Sequence, residues 1–556
     1  MDGTRLAGAA TVGTATYQPR AAEGTVLHRV VRDHLETFLR EVADRTDGGG
    51  LPRFVEREFR QFLTCGALGR GFARVRCDDC AYERLVPFSC KRRGFCPSCG
   101  GRRMAEQAAH LVDHVLPHVP VRQWVLSLPH RVRYLLAWNH KLCRAVLGVA
   151  VRAVLGFYRH RARRAGVRGG RSGAVTVIQR FGGGLQLNVH FHTLLLDGVF
   201  AEGADGALQF HAAEPPSDEE VARLLATIYR RVRRLLARRG LEMDDAPDVD
   251  PLAEESPALA GISSASVQGR IALGPRAGAR VFRLGRETDA PWVTSRAPCQ
   301  AYLKGFDLHA NITVAADDRA GVERLCRYVL RPPVAQERLA PTPDGLVLVT
   351  LKAEWNDGTT HLLFTPVELL EKLTALTPRP RINLILYHGI LAPRAQARAR
   401  AVAHGAPGPP PGEPPAPATE RAGAEPSPPT VDVSATAPPK DTRDAKQPNS
   451  PEKPRDWRWA DLMRRVFALD VLACPRCGGR MSSSPQSRPL TCCARSWAIS
   501  AFRPIRPHLC RPVPLPRSPI SSPTPPPDAP PPARPQPGPA RTPTGVSPGA
   551  GPVSAT

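Results

Sequence analysis

The sequence contains no run of about 18 uncharged apolar residues, the length a bilayer core demands of a helix. Its most apolar region, Val132–Tyr158, is broken by Arg133, Lys141, Arg144 and Arg152, so no membrane-spanning helix is expected. Residues 1–25 also lack the apolar run of about 7–15 residues that follows basic residues in a secretory leader, which points to the cytosol. In that reducing compartment the 14 cysteines are poor disulfide candidates, and any that cluster point to metal instead. No Gly-x-x-x-x-Gly-Lys loop occurs, which excludes a phosphate-cradling nucleotide site of that type. Lysine is scarce, 8 residues against 68 arginines; with so much Ala, Pro and Gly, this is partly the signature of GC-rich coding.

At about 100–200 residues per domain, the 556 residues allow two to four domains, and 42% hydrophobic with 23% charged residues is ordinary globular usage. A net charge of +25 and a pI near 10.2 are what a protein that sits on polyphosphate would show. Arginine-rich coding accounts for part of that charge, so charge alone does not decide.

The chain divides by composition. Residues 1–24 read as a disordered leader. Val30, Val31, Leu35, Phe38 and Leu39 have helical spacing within Val26–Phe62, a stretch interrupted at Asp47–Pro52. Cysteines cluster at 65–99, so 25–110 is read as a metal-binding module. Residues 111–170 read as a helical connector broken at Pro117, Pro120 and Pro129. Residues 171–397 read as α+β: short β-type runs at Ala174–Phe181, Leu185–Phe200, Asn311–Val314, Leu346–Lys352 and His361–Phe364, with helices at Asp218–Arg239 and Arg319–Leu330. Of the 60 prolines, 15 fall in 401–456 and 17 in 511–556. Residues 398–456 therefore read as a linker, 457–481 as an amphipathic segment ending in a vestigial zinc knuckle, and 482–556 as a disordered or frame-shifted tail.

Cys77-x2-Cys80 and Cys96-x2-Cys99, 15 residues apart, have the spacing of a four-cysteine zinc ribbon: two tight turns each deliver a thiolate pair to one tetrahedral Zn2+. The role is structural, since no His or Glu is arranged about an open coordination position. Cys65 and Cys90 lie close enough to supply further zinc ligands. Cys474-Pro-Arg-Cys477-Gly-Gly repeats the Cys96-Pro-Ser-Cys99-Gly-Gly knuckle, with Cys492 and Cys493 as poorly spaced partners. Around the first module, Arg92, Arg93, Arg102 and Arg103 suggest a surface that faces DNA.

His190 and His192, two apart in Leu185–Phe200, share one face of a strand while Phe191 takes the other, an arrangement that can hold one metal ion. The Gly182-Gly183-Gly184 turn makes a hairpin with Ala174–Arg180, and Gln179 on that partner strand is a candidate third ligand.

His-Phe-His is similar to the metal motif of the HUH nucleases. Phe88–Cys99, Val121–Pro129, Asn188–His192 and Cys326–Pro333, in this order, resemble the insertion sequence 91 family of rolling-circle transposases, over about residues 26–395 and again at Trp457–Met481. The resemblance implies an HUH-like antiparallel sheet with helices behind a transposase zinc-binding domain, and an enzyme that nicks and rejoins single-stranded DNA, at the element ends, through a 5′-phosphotyrosine. It maps the nucleophile to Tyr328 and the catalytic ion, Mg2+ or Mn2+, to His190 and His192. Flanking Arg327 and Arg331 can neutralise DNA phosphates. Some members carry a second tyrosine four positions earlier, where this chain has Arg324, so it resembles a single-tyrosine member. A cytoplasmic, nucleoid-associated bacterial protein is implied. A plasmid replication initiator, a relaxase and a non-catalytic zinc-ribbon DNA-binding protein remain as alternatives.

Overall fold

A computed structural model of the chain describes residues 21–241, 250–285, 298–355, 357–406 and 459–483. The leader up to residue 20, most of the expected linker and the tail from residue 484 lie outside them. Two helices begin the fold, α1 (Val26–Asp44) and α2 (Arg53–Phe62). The Thr25 side chain caps α1 at the His28 amide, and Leu27, Val31, Leu35, Phe38 and Val42 form its buried stripe. From α2, Phe59 and Phe62 stack on Phe95 at 4.8 and 5.3 Å. A hairpin of β1 (Phe72–Cys77) and β2 (Glu83–Pro87) follows. Pro97 then opens α3 (Pro97–His114) at the position where a missing amide hydrogen costs nothing.

The chain next enters the main sheet with β3 (Val121–Ser127), a strand inside the stretch expected to be a helical connector. The correction has a physical cause. β3 is buried on both faces, so it lacks the alternation that marks a half-exposed strand, and a short apolar run of this kind reads equally well as buried helix. Pro120 and Pro129 bracket the strand rather than break a helix. The helical expectation holds for α4 (His130–Trp138) and α5 (His140–Arg164).

Two strands, β4 (Gly173–Phe181) and β5 (Leu187–Leu196), form the expected hairpin. The sheet runs Ile385–Gly389, β4, β5, β3, Phe306–His309, Gln300–Leu303, and Thr313–Val314 also pairs with β3. Every pairing is antiparallel. The expected Leu185–Phe200 run divides after Leu196, and Gly198–Glu202 turns away to pair with Leu208–Ala212. A separate four-stranded sheet holds Val347–Thr350 and Thr359–Phe364. The fold class is thus α+β with an antiparallel sheet, and no helix among the described residues is long and apolar enough to cross a membrane.

Two boundaries move. The helix Arg398–Ala403 docks on the fold: Ala401 is buried, and the His404 ring meets Phe200 at 5.2 Å. The expected linker therefore begins no earlier than residue 407; six helical residues are too few to show periodicity. At the other end, Met481–Ser483 pairs with β1, Met481 opposite Cys77, so the expected vestigial knuckle is built into the N-terminal module.

Beneath the sheet lies a buried polar cluster. The Arg122 guanidinium donates to Asp197 at 2.9 and 3.0 Å, and Tyr158 Oη donates to the same carboxylate at 2.7 Å. Burial holds the Tyr158 phenol well above its ordinary pKa. Asp197→Ala would strand the Arg122 charge, and breaking one side of a buried pair costs about 3–5 kcal/mol. A loss of that size in denaturant titrations is the expected result; a loss under about 1 kcal/mol would mean that the cluster is wetter than its burial implies.

Candidate metal centres and nucleophile

In the β4–β5 register Gln179 faces His190 directly, and Val177 faces His192. His190 Nε2 and His192 Nε2 converge to 3.0 Å. The other nitrogen of each ring is already occupied: His190 Nδ1 meets the Asn188 carbonyl at 2.9 Å, and the Gln123 amide meets His192 Nδ1 at 2.7 Å. Donation from Nδ1 to the carbonyl of Asn188 fixes the tautomer that leaves a lone pair on Nε2 of His190. The Gln123 Nε2 amide donates to His192 Nδ1, which puts the proton of that ring on Nε2, facing His190 Nε2. Turning the Gln123 amide over would present Oε1 to Nδ1 and free His192 Nε2 for a metal. Burial pushes His190 down to about 4 and His192 to about 2, the His190 and Arg331 charges adding to the second effect. Both rings are therefore neutral near pH 7, as metal ligation requires. The Oε1 atoms of Gln123 and Gln179 are buried without a partner. Two imidazole nitrogens and an orphaned amide oxygen fit a divalent ion, and this donor set suits Mn2+ better than Mg2+.

Gln123 escaped the sequence reading. Its signal was a polar residue in an apolar strand, visible only once Val121–Ser127 is recognised as a strand beside His192.

The helix Arg319–Leu330 presents Tyr328 to this face. Asp318 caps its start through the Gly321 amide at 2.7 Å, and Arg331-Pro332-Pro333 ends it. Gln179 Nε2 donates to the Val329 carbonyl at 3.1 Å, tying the last turn to β4. The Tyr328 ring stands edge-on to His192 with centroids 5.9 Å apart, and the residue is 37% exposed. Two cations cover it: the Arg331 guanidinium lies 4.3 Å and Lys352 Nζ 4.8 Å from the ring centroid. Lys352 was also missed, because it arrives from a different sheet.

The other basic candidates separate. Arg327 donates to Glu323 at 3.1 Å and is neutralised there, one turn back on its own helix. Arg93, Arg103, Arg331 and Gln179 line a cleft of about 480 Å³ between α3 and the edge of the main sheet. Arg102 faces a different groove, shared with Leu462 and Phe467. Arg92 is held by Gln61 Oε1 at 2.7 Å.

The helix α3 packs against the tyrosine helix through a shared core that includes Leu111, Val112, Val322, Leu325 and Val329. At the cleft a Cβ on Gly100 would stand 2.6 Å from the Cβ of Pro332. The proline ring cannot swing aside. Gly100→Ala is therefore expected to destabilise the fold by about 1–3 kcal/mol through overpacking, although alanine improves helix propensity by about 1 kcal/mol. A melting temperature at or above wild type would show that the two helices can part.

The cysteines do not group as their spacing suggests. Cys77-x2-Cys80 and Cys96-x2-Cys99 belong to two different clusters: Cys65, Cys90, Cys96 and Cys99 form one, and Cys77, Cys80, Cys474 and Cys477 the other, each with its sulfurs within 4.8 Å of one another. The Cys96 and Cys99 pair opens α3 beside the end of α2, where Cys65 sits, whereas Cys77 and Cys80 leave the far end of β1. Identical knuckles fit any partner knuckle, so nearness in sequence misassigned them. His110 stacks on His114 at 5.6 Å and joins neither cluster.

A family model described as "Transposase zinc-binding domain" matches residues 30–128, and one described as "Putative transposase" matches residues 173–399. The transposase for insertion sequence element IS801 of Pseudomonas savastanoi pv. phaseolicola is 24% identical over 353 residues, covering 62% of this chain and 72% of that protein. The chain belongs to the insertion sequence 91 family of transposases. No solved structure matches it.

In this transposase the matched zinc-binding region encloses the whole Cys65, Cys90, Cys96, Cys99 cluster but only half of the other. It also reaches through β3, which pairs with β5 at the histidine face. Zinc-binding domain and transposase domain therefore share one sheet.

Proposed function

We propose that this transposase cuts and rejoins single-stranded DNA by transesterification at Tyr328, with a divalent ion held by His190, His192 and Gln179. One observation carries the reading: the converging imidazoles and the exposed phenol, far apart in sequence, meet on one face beneath two cations. When bound, the ion polarises the scissile phosphate and offsets the charge that builds on its oxygens. The chain does the rest. The phenolic oxygen of Tyr328 forms a bond to phosphorus while the bond from phosphorus to the 3′ oxygen breaks. The phenol's proton passes to solvent, and the departing 3′ oxygen takes one up. One phosphoester replaces another, so no nucleotide hydrolysis is needed and a 3′-hydroxyl can reverse the step. Arg331 and Lys352 provide positive charge for the phosphate, and Gln179 and Pro332 hold the nucleophile's helix in register.

The cleft beside Tyr328, with Arg93 and Arg103 on one wall, continues this positive surface onto the zinc-binding domain. A strand threaded there would touch both domains. We read the partner as an unpaired strand at the element ends, and the site of action as the cytoplasm, on nucleoid DNA.

The test is a cleavage assay on oligonucleotides spanning the element ends, labelled on the 3′ side, with Mn2+, Mg2+ or a chelator. The expected product is a metal-dependent, denaturant-resistant protein–DNA adduct formed on single strands and not on the matching duplex. Cleavage without an adduct, or equal cleavage of the duplex, would defeat the proposal.

A further inference from the structure

The matched zinc-binding region leaves Cys77 and Cys80 with partners almost 400 residues away. Cys77 Sγ lies 3.5 Å from Cys477 Sγ, and Cys80 Sγ lies 3.6 Å from Cys474 Sγ. Four thiolates around zinc at about 2.3 Å stand about 3.8 Å apart, so the observed spacing is that of an S4 site. The local backbone is shaped for it. In the C-terminal knuckle the Arg476 amide points to Cys474 Sγ at 3.4 Å, and the Gly478 amide donates to the Cys474 carbonyl at 2.9 Å. Gly478 takes φ +76°, and a Cβ on Gly479 would stand only 1.8 Å from Asp79 Oδ2. The two glycines are thus required by the turn and by the approach of the opposite knuckle.

The strands agree with the sulfurs. Met481–Ser483 extends the β1–β2 hairpin, the Asp78 amide donates to the Arg480 carbonyl at 3.2 Å, and Ser482 Oγ donates to Asp78 at 2.8 Å. Only Val75, Cys77, Cys474 and Met481 are buried at the centre of this small cluster. With Leu462 and Val471 the returning segment still buries few apolar side chains, and a metal staple would add to what they hold.

We propose that Cys77, Cys80, Cys474 and Cys477 bind one zinc ion that clasps the C-terminal segment onto the N-terminal module. The clasp is separate from the Cys65 cluster and independent of the cleavage chemistry. Closing so long a loop is where a metal clip gains most over the open chain. It also delivers the helix Trp459–Phe467 to the catalytic body. Leu462 packs between Ala105 and Ala109 of α3, and Arg465 joins Asp113 of α3 at 2.6 Å and Glu323 of the tyrosine helix at 2.8 Å. The clasped segment thereby braces the two helices that meet at Gly100 and Pro332.

The test counts zinc and asks whether the segment stays without its peptide link. Full-length protein purified under reducing conditions is expected to carry about two zinc ions per chain, and the Cys474→Ser, Cys477→Ser double variant about one. With a protease site inserted between residues 407 and 458, the cleaved C-terminal piece is expected to co-elute with the body until a chelator is added, and in the double variant to separate at once. One zinc in the wild type, two in the double variant, or a piece that stays bound after zinc is stripped would overturn the clasp. So would disulfides in the same four cysteines under those conditions, read by intact mass after thiol alkylation.

Discussion

Tyr328→Phe is expected to abolish the covalent protein–DNA adduct while leaving affinity for single-stranded DNA within about twofold of wild type. The substitution removes one oxygen from a ring that is 37% exposed and has no hydrogen-bonded hydroxyl among the described contacts, so the fold has little to lose. The ring itself, and with it the stacking of Arg331 and Lys352 on its faces, survives in phenylalanine. In the proposed reading those cations supply a sequence-independent part of phosphate binding, which the variant would keep. What disappears is the oxygen that, in the proposed reaction, takes the phosphorus. Arg324, one turn earlier where some relatives carry a second tyrosine, pairs with Asp318 at 3.3 Å and offers no nucleophile. Gel analysis under denaturing conditions reads the adduct, and fluorescence anisotropy reads binding. An adduct that persists in the variant would move the nucleophile to another residue; lost binding with a lowered melting temperature would make Tyr328 a packing residue.

Much of this site was legible because its parts are short motifs whose geometry is local. His190 and His192 share a face for no reason beyond the two-residue repeat of a strand, and the glycine turn at 182–184 makes the hairpin that sets Gln179 opposite His190. Tyr328 came from the resemblance of Cys326–Pro333 to the family, and Arg331-Pro332-Pro333 gave only the end of the helix that carries it. Long-range partnerships were not readable. β3 is buried on both faces and carries no alternation, so the strand that supplies Gln123 was hidden inside a helical stretch. The cysteine knuckles are interchangeable by sequence, and only the fold shows that Cys77 and Cys80 look toward Cys474 and Cys477, while Cys96 and Cys99 look back to Cys65 and Cys90. Lys352 reaches the ring of Tyr328 across a change of sheet, a relation that no spacing encodes. The arginines show the same limit: Arg327 and Arg331 flank Tyr328 equally in sequence, yet one is spent on Glu323 and the other lies on the ring.

Alanine at His192 should cost the proposed cleavage far more than it costs the fold, and the comparison with Gln123 explains why. If His192 holds the ion through Nε2, its loss removes a ligand, and with it several kcal/mol of transition-state stabilisation, a fall on the order of 10³-fold in single-turnover adduct formation. His190→Ala should match it, because the two nitrogens converge on one point. Gln123 touches the ion's ligand rather than the ion: its amide meets His192 Nδ1 at 2.7 Å. Gln123→Ala should therefore weaken metal affinity by roughly 10–100-fold, and raising Mn2+ should recover most of the lost rate. Neither histidine variant should be recovered so far. A purely structural role predicts a different ordering. The three side chains are buried to similar degrees, so their alanine variants would then lose melting temperature together, with no dependence of the surviving rate on Mn2+. Titrating adduct formation against Mn2+ in the three variants separates the two accounts, and a His192→Ala protein that cleaves at the wild-type rate throughout the titration would remove the ion from this face.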